Sequence, residues 1–219
     1  MLGPMAAHTD AHVGVPLDGH PDAYGHERLT ALEAFGMHLR RRSVVRHVRR
    51  SKPQSMLDLG CGYRADLLAA MSKDVPKAVG VDLEIDLAHA SAHGITAVQG
   101  EVVAMLDTFD AGSFAYITML SVLEHLPNPQ AALDGIHRVL APGGTAVVHV
   151  PTWLGKPVLE ALAFRRGIST ESIDDHRSYY RIAELWPMVI AAGFRPRYTS
   201  MRYSLLGFAL RADLRKPAA

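Results

Sequence analysis

Residues 55–62 read SMLDLGCG, a short apolar run that stops at Gly60-Cys61-Gly62. A run of this length bounded by glycine is the pattern of a buried strand. Glycine there lets the backbone turn sharply and approach a ligand closely, with amide N–H groups gathered at the start of a helix. The spacing predicts that helix over Ala65–Met71 and a second buried strand over Ala78–Leu83 (AVGVDL). Further on, Ile85–His93 reads as a helix, Ile95–Gln99 and Phe114–Leu120 as strands, and Asn128–Leu140 as a helix with Pro129 in its first turn. A Pro142-Gly143-Gly144 turn then leads into a fifth strand, Thr145–Val150. Strands alternating with helices imply a parallel sheet with crossover helices.

The rhythm breaks after Pro151. Arg181–Ala192 reads as a helix ended by Gly193, and Arg195–Tyr203 with Leu205–Ala212 as an antiparallel hairpin. In front of the core, Leu32, Phe35 and Leu39 fall at helical spacing within a helix expected over 24–50, while residues 1–22 read as irregular. The chain is therefore expected to be one α/β domain over 23–219: core 55–150, a lid over 151–180, and a C-terminal helix and hairpin over 181–213. Residues 40–52 carry Arg40, Arg41, Arg42, Arg46, Arg49, Arg50 and Lys52 without an acid. This basic run reads as a solvated helix face, with a patch for phosphate, RNA or anionic lipid as the alternative.

Composition narrows the field. The 219 residues carry a formal net charge of +1, so no global field recruits nucleic acid or an anionic membrane. No run approaches the roughly 20 apolar residues that span a bilayer, and the N-terminus lacks the pattern of a secretory signal. The lone cysteine, Cys61, excludes an intrachain disulfide and a Cys-based zinc site, which suits a cytoplasmic protein. His89 and His93 share a helix face, but no third ligand is placed beside them, so no metal is expected.

Three acids follow three strands. Asp82 ends the second strand, about 20 residues past the glycine loop, where a carboxylate grips ribose hydroxyls. Gly60-x-Gly62-x-x-Ala65 also fits a dinucleotide fingerprint, which leaves an NAD(P)-dependent oxidoreductase as an alternative. Asp58, two residues before Gly60, would repel a pyrophosphate yet accept from the ammonium of an amino-acid ligand. Glu101 follows the third strand, where an adenine amino group would donate to it.

With Leu57–Gly62, Gly80-Val81-Asp82, Gly100-Glu101, Glu124-His125-Leu126 and Arg138–Gly144 in this order, the chain resembles class I S-adenosylmethionine (SAM)-dependent methyltransferases. It is most similar to the small-molecule group that includes ubiquinone and menaquinone biosynthesis enzymes. The resemblance covers residues 55–150, and His176–Phe194 resembles the family's later segment more loosely. It implies a Rossmann-like, doubly wound sheet of seven mostly parallel strands with an antiparallel C-terminal hairpin. It also implies SAM as cofactor and S-adenosylhomocysteine (SAH) as product. Asp58, Gly60, Cys61 and Gly62 would hold the methionine portion, Asp82 the ribose and Glu101 the adenine amino group. Leu83 and Val102 would cover the adenine faces, and Leu120 would line the sulfonium side. Two departures stand out: Arg64 occupies the place of a frequent third glycine, and Ala115 that of an Asp after Ser113-Phe114. They give some support to a third possibility, a non-catalytic binding subunit on the same fold.

The acceptor is expected to be a small molecule, with O-methylation favoured, on a natural product, sugar or lipid precursor. Nucleic acid is disfavoured because the fourth strand exits as Met119-Leu120-Ser121 and no spare cysteine exists for attack on a pyrimidine. His176, after Asp174-Asp175, is the candidate base, with His125 as a lesser one. Trp153, Leu154, Phe164, Tyr179 and Tyr180 offer apolar walls for the acceptor, and Arg165, Arg166 and Arg177 a charge for an anion. The expected assembly is a monomer or a homodimer.

Overall fold

The computed structural model describes residues 31–154 and 178–218. The elements run α1 (Ala31–Ser51), β1 (Ser55–Leu59), α2 (Asp66–Ala69), β2 (Lys77–Asp82), α3 (Leu87–Ala92), β3 (Ile95–Gln99) and α4 (Val102–Thr108). They continue with β4 (Phe114–Leu120), α5 (Pro129–Val139), β5 (Leu140–Pro151), α6 (Ile182–Ala191), β6 (Thr199–Ser204) and β7 (Ala209–Arg215). All seven strands form one sheet in the order β3-β2-β1-β4-β5-β7-β6. Neighbours from β3 to β5 pair in parallel, and β7 runs antiparallel to both β5 and β6. The doubly wound sheet with its antiparallel C-terminal hairpin is thus present, and β7 is inserted between β5 and β6.

Strand register assigns the faces. Asp58 pairs with Thr118, Thr118 with Val147, and Val147 with Asp213, so these four side chains share one face. The opposite face carries Leu57, Leu59, Val81, Ile117, Met119, Val148 and Leu210, all fully buried, against Leu106 of α4, Leu133 and Ile136 of α5 and Leu185 of α6. On the Asp58 face, Val44 and Val48 of α1 pack with Met56, Leu68 and Tyr116. Each such side chain contributes about 1.5–3 kcal/mol when removed from water. Burial on both faces explains why β1, β2 and β4 read as unbroken apolar runs.

Helix ends follow local chemistry. Asn128 accepts from the Ala131 N–H ahead of Pro129, and Asp86 accepts from the His89 N–H at the start of α3. Glu184 reaches back to the Arg181 N–H at 2.7 Å, and Gly193, at φ 100°, follows α6.

The structure corrects several expectations. The helix expected over Ala65–Met71 contracts to the single turn of α2, because Ala65 sits in the left-handed region at φ 46° and cannot join it. Pro142-Gly143-Gly144 is not a free turn but part of β5, which starts at Leu140 and breaks register between Phe114 and Tyr116. Gly143 there donates to the Lys216 carbonyl at 3.0 Å. Helix α4 was not anticipated. The two C-terminal strands begin about four residues later than expected, each after a short 3₁₀ turn. The expectations for residues 1–30 lie outside the described residues.

Candidate functional site

Chain order reverses direction at β1, with β2 and β3 on one side and β4 and β5 on the other. Ligands of open α/β sheets occupy the crevice beyond the strand ends at such a switch point. The loop from Gly60 to Ala65 stands there. Gly60 and Cys61 both donate their N–H groups to the Val81 carbonyl, at 2.8 and 3.1 Å. The Gly62 N–H donates to Asp82 Oδ2 at 2.7 Å, while Asp82 Oδ1 accepts from the Leu83 N–H at 2.8 Å. Asp82 therefore clamps the glycine loop onto the end of β2. A carboxylate offers about four lone-pair positions, so both oxygens keep capacity for a sugar hydroxyl.

The amides of residues 60–62 are spent within the protein, and the glycines act through shape. Gly60, at φ 71°, packs so closely against Val122 that a Cβ on it would overlap Cγ2 of that side chain. Gly62 is also left-handed, at φ 76°, but faces open space. The Arg64 side chain points to solvent, 64% exposed, with its guanidinium 3.9 Å from Asp66.

Asp58 is buried beneath this loop, at 4% exposure. Its Oδ1 accepts from the Thr118 hydroxyl at 2.6 Å. Burial pushes its carboxyl up from the ordinary 3.8 to about 7, against the opposing pull of Thr118 and Arg41. Burial favours the neutral acid, and a cation beside it, such as an amino-acid ammonium, would favour the ionised form. Cys61 is buried next to the same acids; burial first, then Asp58 and Asp82, push its thiol up, so it is no nucleophile.

Leu83, Glu101 and Leu120 stand at or just past the ends of β2, β3 and β4. Asp82 pairs with Gln99, and Glu101 follows two residues later as the exposed N-cap of α4. Leu83 is 44% exposed, a free apolar surface beside Asp82, whereas Val102 is buried at 6%. Leu120 is half-buried at the end of β4, followed by Ser121 at φ 59°. His125 closes the 3₁₀ turn Leu123–His125, its N–H bonded to the Val122 carbonyl at 3.0 Å. Trp153, half exposed, stands 5.1 Å ring to ring from buried Tyr179, and Tyr180 is buried with its N–H on the Pro151 carbonyl. His176, Phe164, Arg165, Arg166 and Arg177 lie outside the described residues. Among the described residues no group of His, Cys, Asp and Glu could hold a metal ion.

Sequence reasoning missed three participants. Thr118 holds Asp58, and Val122 locks Gly60. His149, buried on β5, lines a cavity of about 250 Å³ with Leu120, Ser204, Leu205 and Arg211, its Nε2 lying 3.2 Å from the Ser204 hydroxyl. A histidine inside the apolar run AVVHV was the available signal for the last.

Buried acid, clamped loop and exposed apolar shelf meet at a sheet switch point, on the fold of a class I SAM-dependent methyltransferase. Comparison with known proteins agrees: residues 31–199 match the model of a methyltransferase domain family, and the chain belongs to that family. It is 30% identical over 211 residues to a demethylmenaquinone methyltransferase of Thermus thermophilus, covering 85% of this chain and 93% of the relative. A ubiquinone biosynthesis O-methyltransferase of Psychrobacter arcticus is 31% identical over 152 residues, 64% of this chain and 59% of the relative. The chain thus spans about three fifths of that relative. In fold it is similar to the magnesium protoporphyrin IX methyltransferase of Synechocystis, solved with bound SAH, at a TM-score of 0.62 and 14% identity over 90% of this chain and 92% of the other. The cofactor is S-adenosyl-L-methionine. Among the described residues no helix is long and apolar enough to cross a membrane.

Proposed function

We propose that this protein transfers the methyl group of SAM to a small-molecule acceptor, with an oxygen nucleophile on a quinone-like, natural-product, sugar or lipid precursor favoured. The observation that carries this reading is Asp58, a carboxyl buried at 4% exposure and raised to about 7, one strand away from a second acid that clamps a glycine loop. Asp58 takes the ammonium of the methionine portion, Gly60, Cys61 and Gly62 shape the wall around it, and Asp82 meets the ribose. Glu101 accepts from the adenine amino group, while Leu83 and Val102 flank the ring and Leu120 lines the sulfonium side. Bound SAM supplies an electrophilic methyl with a neutral thioether as leaving group.

What the protein adds is alignment. Holding two reactants in line is worth about 7–11 kcal/mol, against about 10²–10⁴-fold for a positioned base. The acceptor sits beyond Leu120, in the cavity that His149 and Ser204 line, and Trp153, Tyr179 and Tyr180 are the candidate aromatic contacts for it. His176 is the candidate base for a hydroxyl acceptor, and His125 shapes the pocket. A small acceptor, rather than nucleic acid, suits a monomer or homodimer working in the cytoplasm.

Calorimetry with SAH and with NADH, followed by turnover of labelled SAM over a panel of polyhydroxylated aromatics, tests the reading. SAH binding with methyl transfer to a hydroxyl supports it. NADH binding, or SAH binding with no turnover on any acceptor, overturns it.

A further inference from the structure

A second cavity, of about 470 Å³, lies on the Asp58 face at the far end of the sheet from the crevice. Its floor includes Thr145 and Arg215, which pair with each other where the parallel part of β5 begins. One wall is the last turns of α1, with Arg46 and Arg50; the other is the β6–β7 hairpin and the turn before it, with Arg197, Arg202, Arg211 and Arg215. Six arginines from three parts of the chain thus face one carboxylate, Asp213. That carboxylate is already engaged, by Arg211 Nε at 2.9 Å and by Arg202 at 3.5 Å. Among the described residues no acid pairs with Arg46, Arg50, Arg197 or Arg215. Elsewhere on α1 the pattern differs: Arg41 and Arg49 meet Asp66 and Asp74 at 3.5 and 3.0 Å.

The base of the cavity is built rather than merely lined. Arg211 is buried, at 7% exposure, held by Asp213 and by the Ser43 hydroxyl at 2.8 Å, which ties β7 to α1. His47 on α1 stacks on Tyr116 at 5.3 Å and opens to the cavity. Its pKa is lowered by burial first and then by Arg211, with Arg215 and Arg50 adding and Asp213 opposing. Arg46, Arg50, Arg197 and Arg215 are exposed and line one cavity, which gives it a positive potential that a bound anion neutralises. Guanidinium forks converging from several directions suit the oxygens of a phosphate, which accepts from each in paired hydrogen bonds.

We infer that the cleft between α1 and the β6–β7 hairpin is a binding site for a phosphate-bearing small molecule, with a diphosphate as the minimal ligand. The concavity favours a compact polyanion over a membrane plane or a duplex. None of the site's residues is assigned to the cofactor, but Ser43, Arg202 and Arg211 also line the His149 cavity proposed for the acceptor.

Titration calorimetry of the full chain with inorganic pyrophosphate, inorganic phosphate and sodium sulfate at matched ionic strength is the test. Pyrophosphate is expected to bind at least tenfold more tightly than phosphate or sulfate. The surface variants Arg50→Ala and Arg215→Ala are each expected to weaken it about tenfold or more, with SAH affinity and the urea midpoint unchanged. As a second readout, the His47 ring protons are expected to titrate at higher pH when pyrophosphate is bound. Equal affinity for all three anions, or pyrophosphate affinity indifferent to both variants, overturns the inference. So does tighter binding of a single-stranded RNA or of vesicles containing anionic lipid that the same variants abolish, which would make the cleft part of a macromolecular surface.

Discussion

Replacing Asp58 by Asn isolates the group to which the proposed function assigns the cofactor ammonium. In the free protein this carboxyl is raised from 3.8 to about 7 by burial. Its folded pKa lies above the unfolded value, so its stabilising contribution is complete below about pH 4 and is lost as pH rises through 7. Three decades of protonation equilibrium correspond to about 4 kcal/mol. Without ligand, Asp58→Asn is therefore expected to match the wild type near pH 4 and to exceed it by up to about 4 kcal/mol at pH 8. Ligand binding reverses the preference, because an ammonium favours the ionised carboxylate. SAH affinity is then expected to be flat above pH 7 and to weaken by up to tenfold per unit below it, about 30-fold by pH 5.5. The Asn variant loses that slope and binds weakly throughout. Urea melts and SAH calorimetry at pH 5.5, 7 and 8 measure both limbs. A wild-type affinity constant within twofold over this range, or the same slope in Asp58→Asn, would refute the reasoning.

The glycine loop offers a matched pair. Gly60→Ala is expected to cost more than about 3 kcal/mol in urea melts, from left-handed strain together with overlap on Val122, whereas Gly62→Ala bears the strain alone, about 1–2 kcal/mol; equal costs would contradict the packing. Asp82→Asn keeps one acceptor and loses the charge-assisted clamp on Gly62 and Leu83, so SAH affinity is expected to drop about 10–150-fold by calorimetry. Trp153→Ala, removing an aromatic wall outside the cofactor crevice, is expected to raise the acceptor KM at least tenfold while leaving SAH affinity within twofold; a change in SAH affinity alone would move Trp153 out of the acceptor pocket.

The parallel half of the sheet was legible because double burial writes each strand as an apolar run with a glycine or acid at its end. Asp58 and Asp82 could be singled out for the same reason, since a carboxylate interrupts that run. Their partners could not. Thr118 lies 60 residues from Asp58 and reaches it only through the β1–β4 register, which no local pattern encodes. Helix α4 escaped notice because it spans seven residues and Glu101 makes no side-chain cap. The turn lost from α2 hinges on Ala65, a residue type with no bias toward positive φ. For α1, charge spacing described a solvated face, and Arg46, Arg49 and Arg50 are exposed; what lies opposite Arg46 and Arg50 depends on a hairpin formed at the other end of the chain.

The missing side chain at Gly60 also has a mechanical meaning. Val122 belongs to the loop that leaves β4, beside the region assigned to the acceptor, and Gly60 to the loop assigned to the donor. With no slack between them, neither loop travels far without pushing its neighbour. If donor and acceptor bind as proposed, a shift of either loop is passed to the other through a single valine methyl, a steric gear small enough for one mutation to strip.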